Sequence, residues 1–169
     1  MNEKAEYETS LYDAALVCKD HPRIVLRGML DGLHARAVLC ATVAQRQGES
    51  RVAQGAICIA QAALSLLAAE YSGQAPREVP GLDLEQSRAD SHAPRTAFGI
   101  EHFFADAQMG ETMAHLNVLR TYIRDCERAA IVVRKEVHPA LIRMLNRLSS
   151  HAYCLMCTLR AEQRRAACK

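Results

Sequence analysis

A chain of 169 residues, half of them hydrophobic, is long enough to bury a proper core and short for two domains. Its net charge of +2, without a basic run interleaved with aromatics, excludes nucleic-acid binding by bulk electrostatics. Seven cysteines, an odd number scattered along apparent helices, suit a reducing, cytoplasmic compartment better than a disulfide framework.

With only 5% aromatic residues and short β-branched runs, the composition points to packed helices. The start of the chain (Asn2, Glu3, Lys4, Glu6) lacks the basic opening and apolar centre of a signal peptide. Residues 1–20 are polar, with a short helix expected behind a Ser10 cap and carrying Leu11, Ala15 and Leu16. Asp20 and Pro22 read as the cap and first-turn proline of a long helix of about 23–47, where Leu26, Leu30, Leu33, Ala37, Cys40 and Ala44 recur at helical spacing. Gly48, Glu49 and Ser50 break it. A second helix of about 51–72 repeats the rhythm with Val52, Ala56, Ile59, Ala63 and Leu66. It is apolar enough to suggest a membrane span, but Gln54, Gly55, Gln61 and Ser65 interrupt it, so a buried bundle helix and no membrane are expected.

Residues 73–108, punctuated by Gly73, Pro76, Pro80, Gly81, Pro94 and Gly99, form a long connection with one weak helical patch around 82–90. A connection of that length is more often functional than idle. A third long helix follows at about 109–135, and Pro139 starts the last, about 139–165, with Leu141, Leu145, Leu148, Ala152, Leu155 and Leu159 as its seam. The sum is an all-α fold: an up-down helical bundle of four to five helices with a long loop between the second and third long helices, one domain over 1–169.

The third helix carries the most informative pattern. Leu116, Leu119, Ile123, Cys126 and Ala130 form its apolar stripe, and Arg120, Arg124 and Arg128 line up beside it. Such a row of like charges is either relieved by acids, with Asp125 in reach of Arg128 and Glu127 in reach of Arg124, or kept to grip an anion. In the last helix, Asn146, Ser149 and Ser150 are poor helix formers inside an apolar run. Taken alone, they read as helix-to-helix hydrogen bonders.

Together LRTYIRDCER (119–128) and LNRLSS (145–150), preceded by MLDGLHA (29–35), resemble the signatures of the ATP:cob(I)alamin adenosyltransferases of the propanediol-utilisation type. HPRIVLRGMLD, GLDLEQSRADSHAP, HLNVLRT and MLNRLSSHAY are similar, in order, to segments of the ethanolamine-utilisation branch. The resemblance implies a helical bundle that assembles as a homotrimer with active sites between subunits. It further implies transfer of the 5′-deoxyadenosyl group of ATP, with Mg²⁺, to cob(I)alamin, with release of triphosphate. A B12-dependent partner enzyme and a microcompartment location fit the same expectation.

Carried over residue by residue, the resemblance puts Arg120, Arg124, Glu127 and Arg128 at the ATP, and pairs Arg120 with Asp31 across the interface. On spacing alone, Asp31 has Arg27 as its partner. Asn146 and Arg147 match the nucleotide-side N-R of N-R-L-S, and Ser149 falls on the corrinoid side. Phe103 or Phe104 would be the loop aromatic that displaces the lower axial ligand of cobalt; an apolar loop anchor is an equal account. Departures are Gly32 and His34 where Glu and Asn are usual, Asp125 for a second arginine, Ser150 for an aspartate, and no glycine within 1–22 where a phosphate loop lies. A non-catalytic helical module that keeps a corrinoid, nucleotide or protein site stands as the alternative. His92 and His102 lack a Cys or carboxylate at ligand spacing; His151 stands three residues before Cys154, but a His/Cys metal face is the lesser reading there, and Cys154 and Cys157 read as small core residues.

Overall fold

The computed structural model describes residues 5–12 and 15–167. The expected N-terminal helix is replaced by an antiparallel hairpin, β1 (Glu8–Tyr12) and β2 (Ala15–Cys18), pairing Glu8 with Cys18, Thr9 with Val17 and Ser10 with Leu16. The segment is too short to nucleate a helix, and its Tyr, Thr and Val residues favour a pleated strand over a turn of helix.

Helix α1 (Pro22–Arg46) begins one residue later than an Asp20 cap would place it. Pro22 at its first position holds His21 extended (φ −56°, ψ 132°), so the His21 side chain, not Asp20, accepts from the Arg23 amide. Helix α2 (Ser50–Ser72) follows a three-residue link and ends at Gly73, whose left-handed φ of 69° lets its amide reach the Ala69 carbonyl. Helices α5 (Glu111–Val132) and α6 (Pro139–Ala167) complete the bundle. Helix α1 packs on α2 and α5, and α6 on α5 and α2.

The four predicted stripes are the core: Leu26, Leu30, Leu33, Val52, Ile59, Leu66, Leu116, Leu119, Ile123, Leu141, Leu145 and Leu148 are all fully buried. Each contributes about 1.5–3 kcal/mol of apolar transfer. Ser50–Ser72 has the length and composition of a membrane span, yet its stripe lies inside this bundle. At Gly55 a Cβ would stand 2.4 Å from Leu155, so the absence of a side chain sets how closely α2 and α6 approach.

Glu70, at 0% exposure near the end of α2, is a polar feature of this core. Its carboxylate accepts from Arg23 Nε at 2.6 Å and from Arg27 Nε, while its backbone carbonyl accepts from Arg23 Nη2 at 2.5 Å. The Arg27 guanidinium also lies over the Tyr71 ring, 4.0 Å from its centroid. Arg27 thus turns inward to α2, while Asp31 is exposed on α1.

The 73–108 connection is more ordered than a loop. It folds α3 (Leu84–His92), capped by Asp83, then α4 (Pro94–Phe98) and a 3₁₀ turn at Ala107–Met109. Both α3 and α4 lie on α6. Ser87 fastens the contact: its hydroxyl donates to the Asp83 carbonyl at 2.7 Å and meets His151 Nδ1 at 2.8 Å, and the Cys154 thiol donates to its carbonyl. With the hydroxyl hydrogen committed to Asp83, Nδ1–H of His151 is the donor. That leaves Nε2 buried without a partner among the described residues. Burial holds the imidazole down, to about 4, and pushes the Cys154 thiol up, to about 12. The cysteines of α1, α2, α5 and α6 are all unbridged.

Two predictions follow from these buried polar groups. Replacing Glu70 by Ala strips the shared acceptor from two buried guanidiniums and lowers stability by about 3–5 kcal/mol, with Glu70→Gln between that variant and wild type in urea unfolding. His151 has a folded-state value below its usual 6.5, so between pH 6.5 and 4 the unfolded chain binds the extra proton and stability falls as pH falls. The loss from this group approaches about 3 kcal/mol, and His151→Gln removes that part of the slope in unfolding curves across this pH range.

Candidate functional site

Helix α5 presents Asn117, Arg120 and Arg124 at spacings of three and four, hence on one face, and α6 presents Ser149, Ser150 and Tyr153 in the same way. These faces, the end of α3 and the 99–106 segment enclose a cleft of about 410 Å³. Five of the residues singled out from sequence meet there: Arg120, Arg124, Ser149, Phe103 and Phe104. His92 and His102 border it as well.

The arginine row divides in two. Arg128 is ion-paired with Asp125, the relief that spacing suggested. Arg124 is not paired with Glu127, because Glu127 instead accepts from Asn146 Nδ2 at 2.9 Å. Asn146 Oδ1 in turn accepts from Arg147 Nη1 at 2.8 Å, and Arg147 Nε donates to Glu85 of α3 at 3.2 Å. The Glu127–Asn146–Arg147–Glu85 chain is therefore internally satisfied. Arg147 belongs with a second cleft of about 770 Å³, between residues 76–85 and the start of α6, and does not line the first.

Arg120 and Arg124 are left facing the first cleft. Among the described residues Arg120 hydrogen-bonds only Asn117 Oδ1, at 3.4 Å, and its buried Nε has no hydrogen-bond partner. Its pKa is lowered, first by burial and then by the neighbouring Arg124 charge. Arg124 is exposed, with no hydrogen bond or ion pair among the described residues. Two adjacent guanidiniums without a carboxylate between them form a ready site for an anion with several oxygens.

The aromatic side of the cleft is organised by Tyr153. The His102 ring stacks on it with centroids 5.7 Å apart and an interplanar angle of 14°, and His102 Nδ1 lies 3.0 Å from its hydroxyl. Phe103 tilts against the same ring at 6.0 Å, whereas Phe104 is 91% exposed. Burial is the main cause of a raised Tyr153 pKa. Tyr153 and Asn117 escaped the sequence reading, although each stands a helical turn from a residue that did not: Ser149 and Arg120.

Asp31 is exposed and does not line this cleft. Beside it, Gly32 leaves room for Tyr122, whose hydroxyl would be 2.6 Å from an added Cβ, and Arg36 stacks on the Tyr122 ring at 3.7 Å. An acidic side chain at position 32 would collide with this pair. Among the described residues no three His, Cys, Asp or Glu side chains gather around a common point.

The family model described as cobalamin adenosyltransferase matches residues 2–159. Corrinoid adenosyltransferase EutT of Escherichia coli (strain K12) is 28% identical over 160 residues, covering 90% of this chain and 58% of that protein. Corrinoid adenosyltransferase PduO of Salmonella typhimurium (strain LT2) is 30% identical over 162 residues, 91% of this chain and 46% of that protein. EutT of the same organism is 29% identical over 163 residues, 90% of this chain and 58% of that protein. The chain spans about half the length of the curated relatives it matches. No solved structure matches it.

Proposed function

The chain belongs to the cobalamin adenosyltransferase family, and from that premise we propose that it is a corrinoid adenosyltransferase, one catalytic domain that moves the 5′-deoxyadenosyl group of ATP to cob(I)alamin. The observation that carries the reading is the unneutralised pair Arg120 and Arg124 in a cleft whose other wall is aromatic. In this reaction the Co(I) nucleophile attacks the 5′ carbon, the C–O bond breaks, and triphosphate leaves with the bonding electrons. The protein's task is to align the two substrates and hold the departing charge. Guanidiniums keep their charge at any working pH and fork onto phosphate oxygens.

Arg120 and Arg124 bear on the triphosphate in this scheme. Arg128, Glu127, Asn146 and Arg147, which do not line the cleft, would act on the nucleotide from beside it, as the resemblance implies. Phe104, exposed in the cleft, is better placed than Phe103 to approach cobalt, and Ser149 borders the corrinoid. Mg²⁺ fits as an ion carried on phosphate oxygens, since no cluster of protein ligands stands ready to cage it among the described residues.

Asp31 of the partner subunit would give Arg120 its counter-charge in a homotrimer. Support for assembly comes from large apolar side chains left on the surfaces of α1 and α5: Val38, Leu39, Val118, Ile131 and Val132. The resemblance of MLNRLSSHAY and its companion segments to the ethanolamine-utilisation branch supports service to a B12-dependent enzyme of ethanolamine or related catabolism, in the cytoplasm or a microcompartment.

A second reading, a corrinoid-binding module without transfer chemistry, is favoured by the lack of glycine within residues 1–22, since a phosphate loop uses glycine to bring backbone amides together. Incubating the purified chain with ATP, Mg²⁺ and reduced corrinoid separates the two. Adenosylcobalamin should form, with kcat down about 100-fold in Arg124→Ala and less than about tenfold in Arg128→Ala, whose charge is already paired at the surface. Corrinoid binding without turnover and without ATP binding by calorimetry would establish the module instead.

A further inference from the structure

The cleft's aromatic wall rides on a segment with no regular structure of its own between α4 and the 3₁₀ turn. Residues 101–106 are mostly exposed, and within this stretch Phe103 and Ala105 are the side chains that pack against the core. A segment so placed needs a fastening if its aromatics are to hold one position over the arginines. Tyr153 supplies three contacts: the parallel His102 ring, the hydrogen bond to His102 Nδ1, and the tilted Phe103 ring. Tyr153 projects from α6 one turn beyond Ser149, inside the longest helix of the bundle, so its own position is set by rigid structure.

We propose that His102 and Tyr153 form a latch that positions the 99–106 segment, and with it Phe104, over the cleft facing Arg120 and Arg124. Tyr153 and His102 are positioning residues here: they act on the aromatic that meets the corrinoid, not on the reacting atoms. The role in corrinoid placement rests on the proposed adenosyl transfer, whereas the fastening itself rests on geometry alone. Phe104 is 91% exposed with no core contact of its own, and the segment that carries it is held by Ile100, Phe103 and Ala105 against the core and by His102 against Tyr153.

The experiment compares the full-length wild type with Tyr153→Phe, which keeps the ring but removes the hydroxyl, with His102→Ala, and with the double variant. Amide hydrogen exchange is read over 99–106, together with steady-state transfer using reduced cobalamin, ATP and Mg²⁺. The latch predicts faster exchange confined to 99–106 in both single variants, a corrinoid KM raised about fivefold to tenfold, and an ATP KM within about twofold of wild type. The double variant should be no worse than His102→Ala, because both changes break one fastening.

Unchanged exchange over 99–106 overturns the latch whatever the activity. Faster exchange with an unaltered corrinoid KM, or with corrinoid and ATP KM raised alike, overturns its positioning role. Absence of turnover in the wild type is a different failure: it sinks the proposed transfer, and the exchange comparison then decides the latch by itself.

Discussion

Helix α6 has to be buried on two sides at once, and the rest of the molecule is arranged around meeting that demand. One side closes the bundle through Leu141, Leu145, Leu148, Ala152 and Leu159. Another is covered by α3 and α4, which bring Ser87 to His151 and Cys154. The covered sides leave little room for charge, and α6 keeps cations such as Arg143, Arg164 and Arg165 at exposed positions. His151 shows the cost, since its unpartnered Nε2 is tolerable only while the ring is uncharged. Asn146 and Arg147 meet Glu127 and Glu85 away from the cleft, while Tyr153 meets His102 and Phe103 and so helps outline it.

Electrostatics then separate cations that look alike in the chain. Arg23 and Arg27 are buried and share one carboxylate, and Arg128 and Arg147 have Asp125 and Glu85. Surface pairs of the latter kind are worth little. The Glu70 cluster differs in that its three charged side chains are buried together, which makes it a pin between α1 and α2. Arg120 and Arg124 have neither arrangement. Burial first, and then the Arg124 charge, hold the Arg120 pKa down, a disadvantage that an anion in the cleft would offset.

What was legible in the sequence follows the same division. The four seams could be read because burial of a helix face imposes a 3.6-residue period, and every residue assigned to the α1, α2 and α5 stripes is fully buried. The hairpin could not, because a short stretch with Leu11, Ala15 and Leu16 satisfies helical spacing by accident while strand pairing depends on a partner elsewhere in the chain. Spacing also listed the acids within reach of each arginine without choosing among them. Asp125 took Arg128, but Glu127 left Arg124 for Asn146 on another helix, a preference that exists only once α5 and α6 are packed. Glu70 and Tyr153 were missed for a related reason: single polar groups on apolar helices leave no periodic trace.

The cleft joins two kinds of support, and the difference bears on how such a site could work. Arg120 and Arg124 stand on α5, where packing of Leu116, Leu119 and Ile123 fixes the backbone, so their spacing does not depend on a ligand being present. Phe103 and Phe104 stand on an irregular segment that can yield when a large flat ligand enters. Under the proposed transfer, charge stabilisation has to be in place before the leaving group departs, because donors that reorganise during the reaction lose much of their effect. The corrinoid face has the opposite requirement, since a macrocycle must get in and its adenosylated product must get out. Rigid helix for the phosphate side and a fastened, releasable segment for the corrinoid side is the arrangement those two demands select.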